Sequence, residues 1–115
     1  MEWTDGVAAD VEKFEILAEA PELRMVLVTL AEDQEVPWHR HSSVTDTFFC
    51  VEGPMVVEVR RPKEEYELVA GGMCAVAAGR PHRVSGKGGG PCKFGVLQGG
   101  GPYDFKAVQR PEAED

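Results

Sequence analysis

The chain has no asparagine, only three histidines, only three cysteines, and no apolar run near the length of a membrane span. Each shortage excludes something. Without asparagine there is no N-glycosylation sequon, and turns must be built from Gly, Pro, Asp and Ser. Cys50, Cys74 and Cys92 are odd in number and show no Cys-x-x-Cys spacing, which argues against a disulfide framework and a thiolate zinc site. They read as reduced thiols acting as small apolar side chains, Cys50 less plainly because it shares strand parity with Asp46. A membrane-spanning helix needs ~20 consecutive apolar residues, so no membrane partner is expected. Basic residues are also scarce: 12 Lys and Arg face 20 Asp and Glu, for a net charge of −8. Such a surface repels phosphate backbones, and nucleic acid is not an expected partner. The chain opens with Glu2 and Asp5 instead of a basic start and an apolar stretch, so no secretory leader is expected and the cytoplasm is the expected location.

What is present is a single domain's worth of short, alternating segments. At 115 residues one continuous core is possible, with little to spare. Val11 to Ala20 fits a helix or a strand equally well. Ala20-Pro21-Glu22 breaks either element, and Leu23 to Ala31 reads as a strand nearly apolar on both faces, so a hairpin with the preceding segment is the simplest topology. Met55 to Arg60 alternates cleanly, with Met55, Val57 and Val59 on one side. Gly86 to Gly90 lacks the residues of a phosphate loop and is expected to be a mobile hairpin loop. Tyr103 to Val108 is expected as a last extended segment across the body. Eight to ten short strands, turn signals every 8 to 12 residues and no confident helix predict an all-β sandwich or barrel. Residues 1–13 read as an N-terminal arm, 14–108 as the barrel and 109–115 as a flexible tail.

The chemistry concentrates between Trp38 and Gly53. His39 and His41 are separated by one residue, and in an extended strand such a pair points to one face. A helix would set them about 200° apart at ~3.6 residues per turn. Asp46 follows His41 by five positions, and the only other histidine, His82, lies in a downstream Gly-Arg-Pro-His turn. Three imidazoles and one carboxylate are donors typical of a first-row transition metal.

These motifs resemble those of the cupin superfamily, small β-barrels of the double-stranded β-helix or jelly-roll type. The family's first motif is matched by His39-Arg40-His41, four residues, Asp46, six residues and Gly53, with Asp33 where the opening glycine is usual. Its second motif is matched by Gly71, Gly79 and His82, with Ala77 replacing a proline and Gly86 standing where asparagine is usual. The resemblance implies that His39, His41, Asp46 and His82 hold one divalent transition metal, whether Fe, Mn, Ni, Co, Cu or Zn, and that the protein is a homodimer. It implies metal chemistry on a small oxygen-bearing molecule: a dioxygenase, isomerase or lyase. In octahedral geometry four protein ligands leave two positions for water, dioxygen or substrate oxygens. The other readings are a non-catalytic module that binds or senses a small-molecule ligand, and a stability scaffold with a vestigial, empty site.

Asp46 departs from the family's glutamate. One methylene fewer shortens its reach by roughly 1.5 Å, one carbon–carbon bond. Asp46 therefore binds from a backbone drawn inward, binds through water, or orients a histidine without touching the ion. Phe48, Cys50, Met55 and Val84 share inward parity and are expected to line the pocket. Tyr66, also inward, is the candidate general acid or orienting donor. Gln98 and Tyr103 are weaker candidates at the barrel rim. Arg40 and Arg80 are expected to form surface ion pairs.

Overall fold

Residues 11–110 are described by the computed structural model. Alternation makes the strands. In β2 (Leu23–Leu30) Arg24, Val26, Val28 and Leu30 are buried while the residues between them stay partly open. In β5 (Met55–Val59) Met55, Val57 and Val59 are buried completely. Burying each such valine contributes about 1.5–3 kcal/mol before entropy is counted. The ambiguous segment before Pro21 is a strand, β1 (Lys13–Ala20), and it forms the expected antiparallel hairpin with β2, bulged between Ile16 and Ala18. The buried Val11 and the bond from Glu12 N–H to Thr29 O carry the body of the fold slightly ahead of β1. Most of the expected arm and most of the tail lie outside the described residues.

The remaining strands are β3 (Glu35–Arg40), β4 (Thr45–Glu52), β6 (Glu64–Leu68), β7 (Met73–Val76), β8 (His82–Gly86), β9 (Cys92–Gly99) and β10 (Lys106–Ala107). They form two five-stranded antiparallel sheets, ordered β1-β2-β9-β4-β7 and β10-β3-β8-β5-β6. This is the jelly-roll, with one core between the inward faces.

The two outer faces differ. Met25, Leu27, Phe49 and Leu97 occupy outward positions of neighbouring strands in the first sheet, beside Met73, which is 58% exposed. Gly95 at the centre lets Met25 and Phe49 close over it. The second sheet's outer face is charged, with Arg83 bridging Glu35 and Glu58.

The stretch from Gly86 to Gly90 is not a hairpin loop. It carries the chain from β8 in one sheet to β9 in the other. It is a tight turn containing one 3-10 segment, Lys87–Gly89, and hydrogen bonds from Lys87 N to Pro54 O and from Asp33 N to Gly89 O pin it. Any Cβ on Gly86 would lie 1.7 Å from the Gly90 carbonyl oxygen, which explains why the family's asparagine is missing here. Asp33, where the family has glycine, keeps a glycine-like left-handed backbone at φ 65°.

Candidate metal centre

The site is built across the two sheets. β3 and β8 pair so that His39 lies directly opposite His82, after a register shift between Val36 and His39. His41 follows β3, and its carbonyl accepts a bond from Gly79 N, which ties the turn before His82 to the first histidine pair. Asp46 enters from β4 in the facing sheet. All four side chains are buried, none more than 3% exposed, and a potential ligand atom from each lies within 4.8 Å of the others. The His39 and His82 rings are 4.2 Å apart, and those of His39 and His41 are 4.9 Å apart.

Each imidazole is oriented in the same way. Nδ1 of His39 meets Pro37 O at 2.7 Å, that of His41 meets Asp104 O at 2.5 Å, and that of His82 meets Arg80 O at 2.9 Å. A carbonyl only accepts, so the neutral ring carries its proton on Nδ1, which leaves the Nε2 lone pair free. Yet Asp46 Oδ2, another acceptor, sits 2.9 Å from His41 Nε2 and 3.0 Å from His82 Nε2. Two rings thus have acceptors at both nitrogens, and a neutral imidazole can satisfy only one. The arrangement calls for positive charge, supplied by protons or by a cation held among Nε2 and Oδ2. The donor set fits a first-row metal ion.

The electrostatics agree. Burial opposes ionisation of Asp46, but hydrogen bonds from His41 and His82 outweigh it and hold the carboxyl well below its ordinary range. Burial also opposes charging of His41, and the Asp46 contact overcomes this and raises its pKa. His39 goes the other way: burial, then the neighbouring His82 and His41, push it well below 6.5 and keep it neutral.

A small cavity adjoins the centre. Val26, Val28, Phe48, Val84, Phe94 and Val96 make its apolar wall, and Gln98 and Tyr103 join the ligands as its polar lining. About 20 Å³ is reachable by the centre of a water molecule, room for little more than one water. The segment after β9 closes the site: Phe105 stacks on His39 at 4.5 Å and Tyr103 lies 5.3 Å from His41. Burial pushes the Tyr103 phenol up, so it stays protonated.

Of the residues expected to line the pocket, Phe48 and Val84 do so. Cys50 and Met55 pack in the core without lining the cavity. Tyr66 is not among the lining residues either. It sits on the edge strand β6, and its hydroxyl donates to Glu64, whose carboxylate also pairs with Arg80. Sequence reasoning overlooked Asp104, Phe105 and above all Arg24. This buried guanidinium donates through Nε to Gln98 Oε1 at 3.0 Å and lies 3.9 Å from the centre of the Tyr103 ring. Its shared parity with Val26, Val28 and Leu30 was the available signal.

Comparison with known proteins bears on the fold. No match was found among curated proteins. A Klebsiella pneumoniae protein described as uncharacterized, with a double-stranded β-helix domain, superposes with a TM-score of 0.70 at 19% identity, covering 96% of this chain and 100% of that one. A cupin-2 domain protein of Shewanella frigidimarina gives 0.63 at 22% identity, covering 77% and 81%. The oxalate decarboxylase of Lactobacillus farciminis gives 0.72 at 16% identity, covering 84% of this chain but 31% of its own. The family described as Cupin domain matches residues 26–97, which hold all four clustered side chains, and the chain belongs to that family.

Proposed function

We propose that His39, His41, Asp46 and His82 hold one divalent transition metal and that the protein is a metal-dependent enzyme acting on a small oxygen-bearing molecule. The reaction class is dioxygenation, isomerisation or lysis. The observation that carries this reading is the carboxylate oxygen set between two imidazoles whose other nitrogens already face carbonyls. When bound, the metal supplies Lewis acidity or an anchor for dioxygen. The chain's own residues do the rest. The carbonyls of Pro37, Asp104 and Arg80 fix the imidazoles, the valine and phenylalanine wall keeps the surroundings apolar, and the protonated Tyr103 phenol lines the space a bound molecule would enter. Tyr103, instead of Tyr66, is therefore the candidate hydrogen-bond donor.

The size of the cavity limits the substrate to a few heavy atoms unless the segment bearing Tyr103 and Phe105 moves aside. Oxalate, named for the oxalate oxidase and decarboxylase among similar folds, is larger than this space and would need that movement. The second reading, a binding or sensing module without turnover, is supported by the scarcity of acids, bases and nucleophiles in the lining beyond the ligands, where only Gln98 and Tyr103 are polar. Two further expectations stand as proposals: a homodimer, supported by the apolar outer face of the first sheet, and a cytoplasmic location, supported by three free thiols.

Metal analysis of untagged protein tests the centre. About one ion per chain, and a melting temperature that falls on chelation, are expected. Substoichiometric metal with an unchanged melting temperature would refute it. Turnover screens with Fe(II), Mn(II), Ni(II) and Zn(II) then separate the enzyme from the binding module.

A further inference from the structure

One transverse row of the first sheet runs into the centre. Arg24 of β2 is register partner to Gln98 of β9, and Gln98 is partner to Asp46 of β4. All three point inward and are buried, at 4%, 5% and 2% exposure. Arg24 Nε donates to Gln98 Oε1 at 3.0 Å, Gln98 Nε2 donates to Asp46 Oδ1 at 3.2 Å, and Asp46 Oδ2 faces His41 and His82.

The direction of this row is dictated by chemistry. A guanidinium has donors only, so the Gln98 amide must turn its oxygen toward Arg24 and its NH2 toward Asp46. In the flipped amide two oxygens would oppose each other across the Gln98–Asp46 pair, and two donors across the Arg24–Gln98 pair. Asp46 Oδ1 is consequently occupied, and Oδ2 alone is presented to the imidazoles. We infer that Arg24 is a positioning residue of the centre: through Gln98 it locks Asp46 as a carboxylate offering a single oxygen. This rests on the metal reading above and adds to it a residue on β2, two strands from the ligand it controls.

Burying a guanidinium costs several kcal/mol unless it is well paired. Its stack against Tyr103 shows that packing is one use of it, so the test must distinguish packing from positioning. The full chain, freed of metal, is titrated with Co(II) against a chelating dye, and the visible absorption of the Co(II) form is recorded for wild type, Arg24→Met, Gln98→Leu and the double variant. Outer partners of metal ligands are typically worth about 10- to 100-fold in affinity. Each single variant is expected to weaken Co(II) binding by that factor and to change the absorption bands. The double variant is expected to bind no more weakly than Gln98→Leu alone, because both changes break one chain of contacts.

Affinity and bands equal to wild type in Arg24→Met, or losses that multiply in the double variant, would overturn the inference. If Arg24→Met does not fold, Arg24→Lys decides: its ammonium also only donates and can hold the Gln98 amide in the same direction, so it should bind Co(II) within a few-fold of wild type. Weakening by Arg24→Lys as large as that of Gln98→Leu would refute the role. Wild-type protein that takes up no Co(II) at all sinks the metal reading itself and the positioning role with it.

Discussion

Asp46→Asn should separate what the carboxylate does for the metal from what it does for the fold. The substitution is isosteric. Asn Oδ1 can still accept from Gln98 Nε2, and Asn Nδ2 carries two hydrogens where Asp46 Oδ2 stands, 2.9 and 3.0 Å from two Nε2 atoms. With the protons already on Nδ1, both lone pairs accept, and every group in the cluster is satisfied without charge. Two charge-assisted bonds of about 1.5–3 kcal/mol each give way to two neutral ones of about 0.5–1.5 each. Removing a buried ion returns several kcal/mol. The metal-free variant should therefore lie within about 2 kcal/mol of metal-free wild type, whereas Asp46→Ala, which leaves the imidazoles without that partner, should lose about 3–5 kcal/mol.

The pH dependence has a definite sign. His41 has a folded pKa raised above 6.5, so its contribution is complete below 6.5 and is lost as pH rises through the folded value. The folded pKa of Asp46 is depressed, so its contribution is complete above 3.8 and is lost only in strong acid. Metal-free wild type should thus lose stability as pH rises above 6.5, and Asp46→Asn should not. The range is kept below the ~8.5 at which unfolded thiols ionise and the buried Cys74 and Cys92 begin to cost stability in both proteins. Urea unfolding of chelator-treated proteins across that range is the assay. Added Zn(II) at a hundred times its dissociation constant should stabilise wild type by about 2.7 kcal/mol and the asparagine variant far less. A metal-free Asp46→Asn protein that loses more than about 4 kcal/mol, or that retains the alkaline slope, would refute the arrangement of protons described above.

Tyr66→Phe, which removes only the bond to Glu64 on an edge strand, should leave metal affinity unchanged in the dye competition and the thermal midpoint nearly unchanged. Leu97→Glu places a carboxylate at the centre of the apolar outer face and should convert a dimer to monomer in analytical ultracentrifugation, while Glu58→Lys on the charged face should not. Asp33→Gly relieves a left-handed residue and should raise stability by up to about 1 kcal/mol in thermal melts, with a decrease counting against the strain.

Much of this molecule is legible in its residues because period-two patterns and paired motifs report faces. Met55, Val57 and Val59 announced the core, and the His39–His41 spacing announced a shared direction. What parity does not report is depth or neighbourhood. Tyr66 shares the inward side, but nothing local says that β6 is an edge strand, where the hydroxyl turns to Glu64 instead of the cavity. Glycine-rich composition announced a turn at 86–90, but not that the next strand would cross to the other sheet. Arg24 hid in a run that read as nearly apolar on both faces, because its partners Gln98 and Tyr103 are 74 and 79 positions away and only the fold brings them near. The shortened acid at position 46 is the other such case. Its reach depends on the spacing of the two sheets, which no spacing of letters reveals.

The Asp104 carbonyl that holds His41 belongs to the same short segment whose Phe105 lies flat on His39. If those imidazoles hold an ion, reciprocity applies: whatever free energy closure of the segment lends to the ion, the ion returns to closure of the segment.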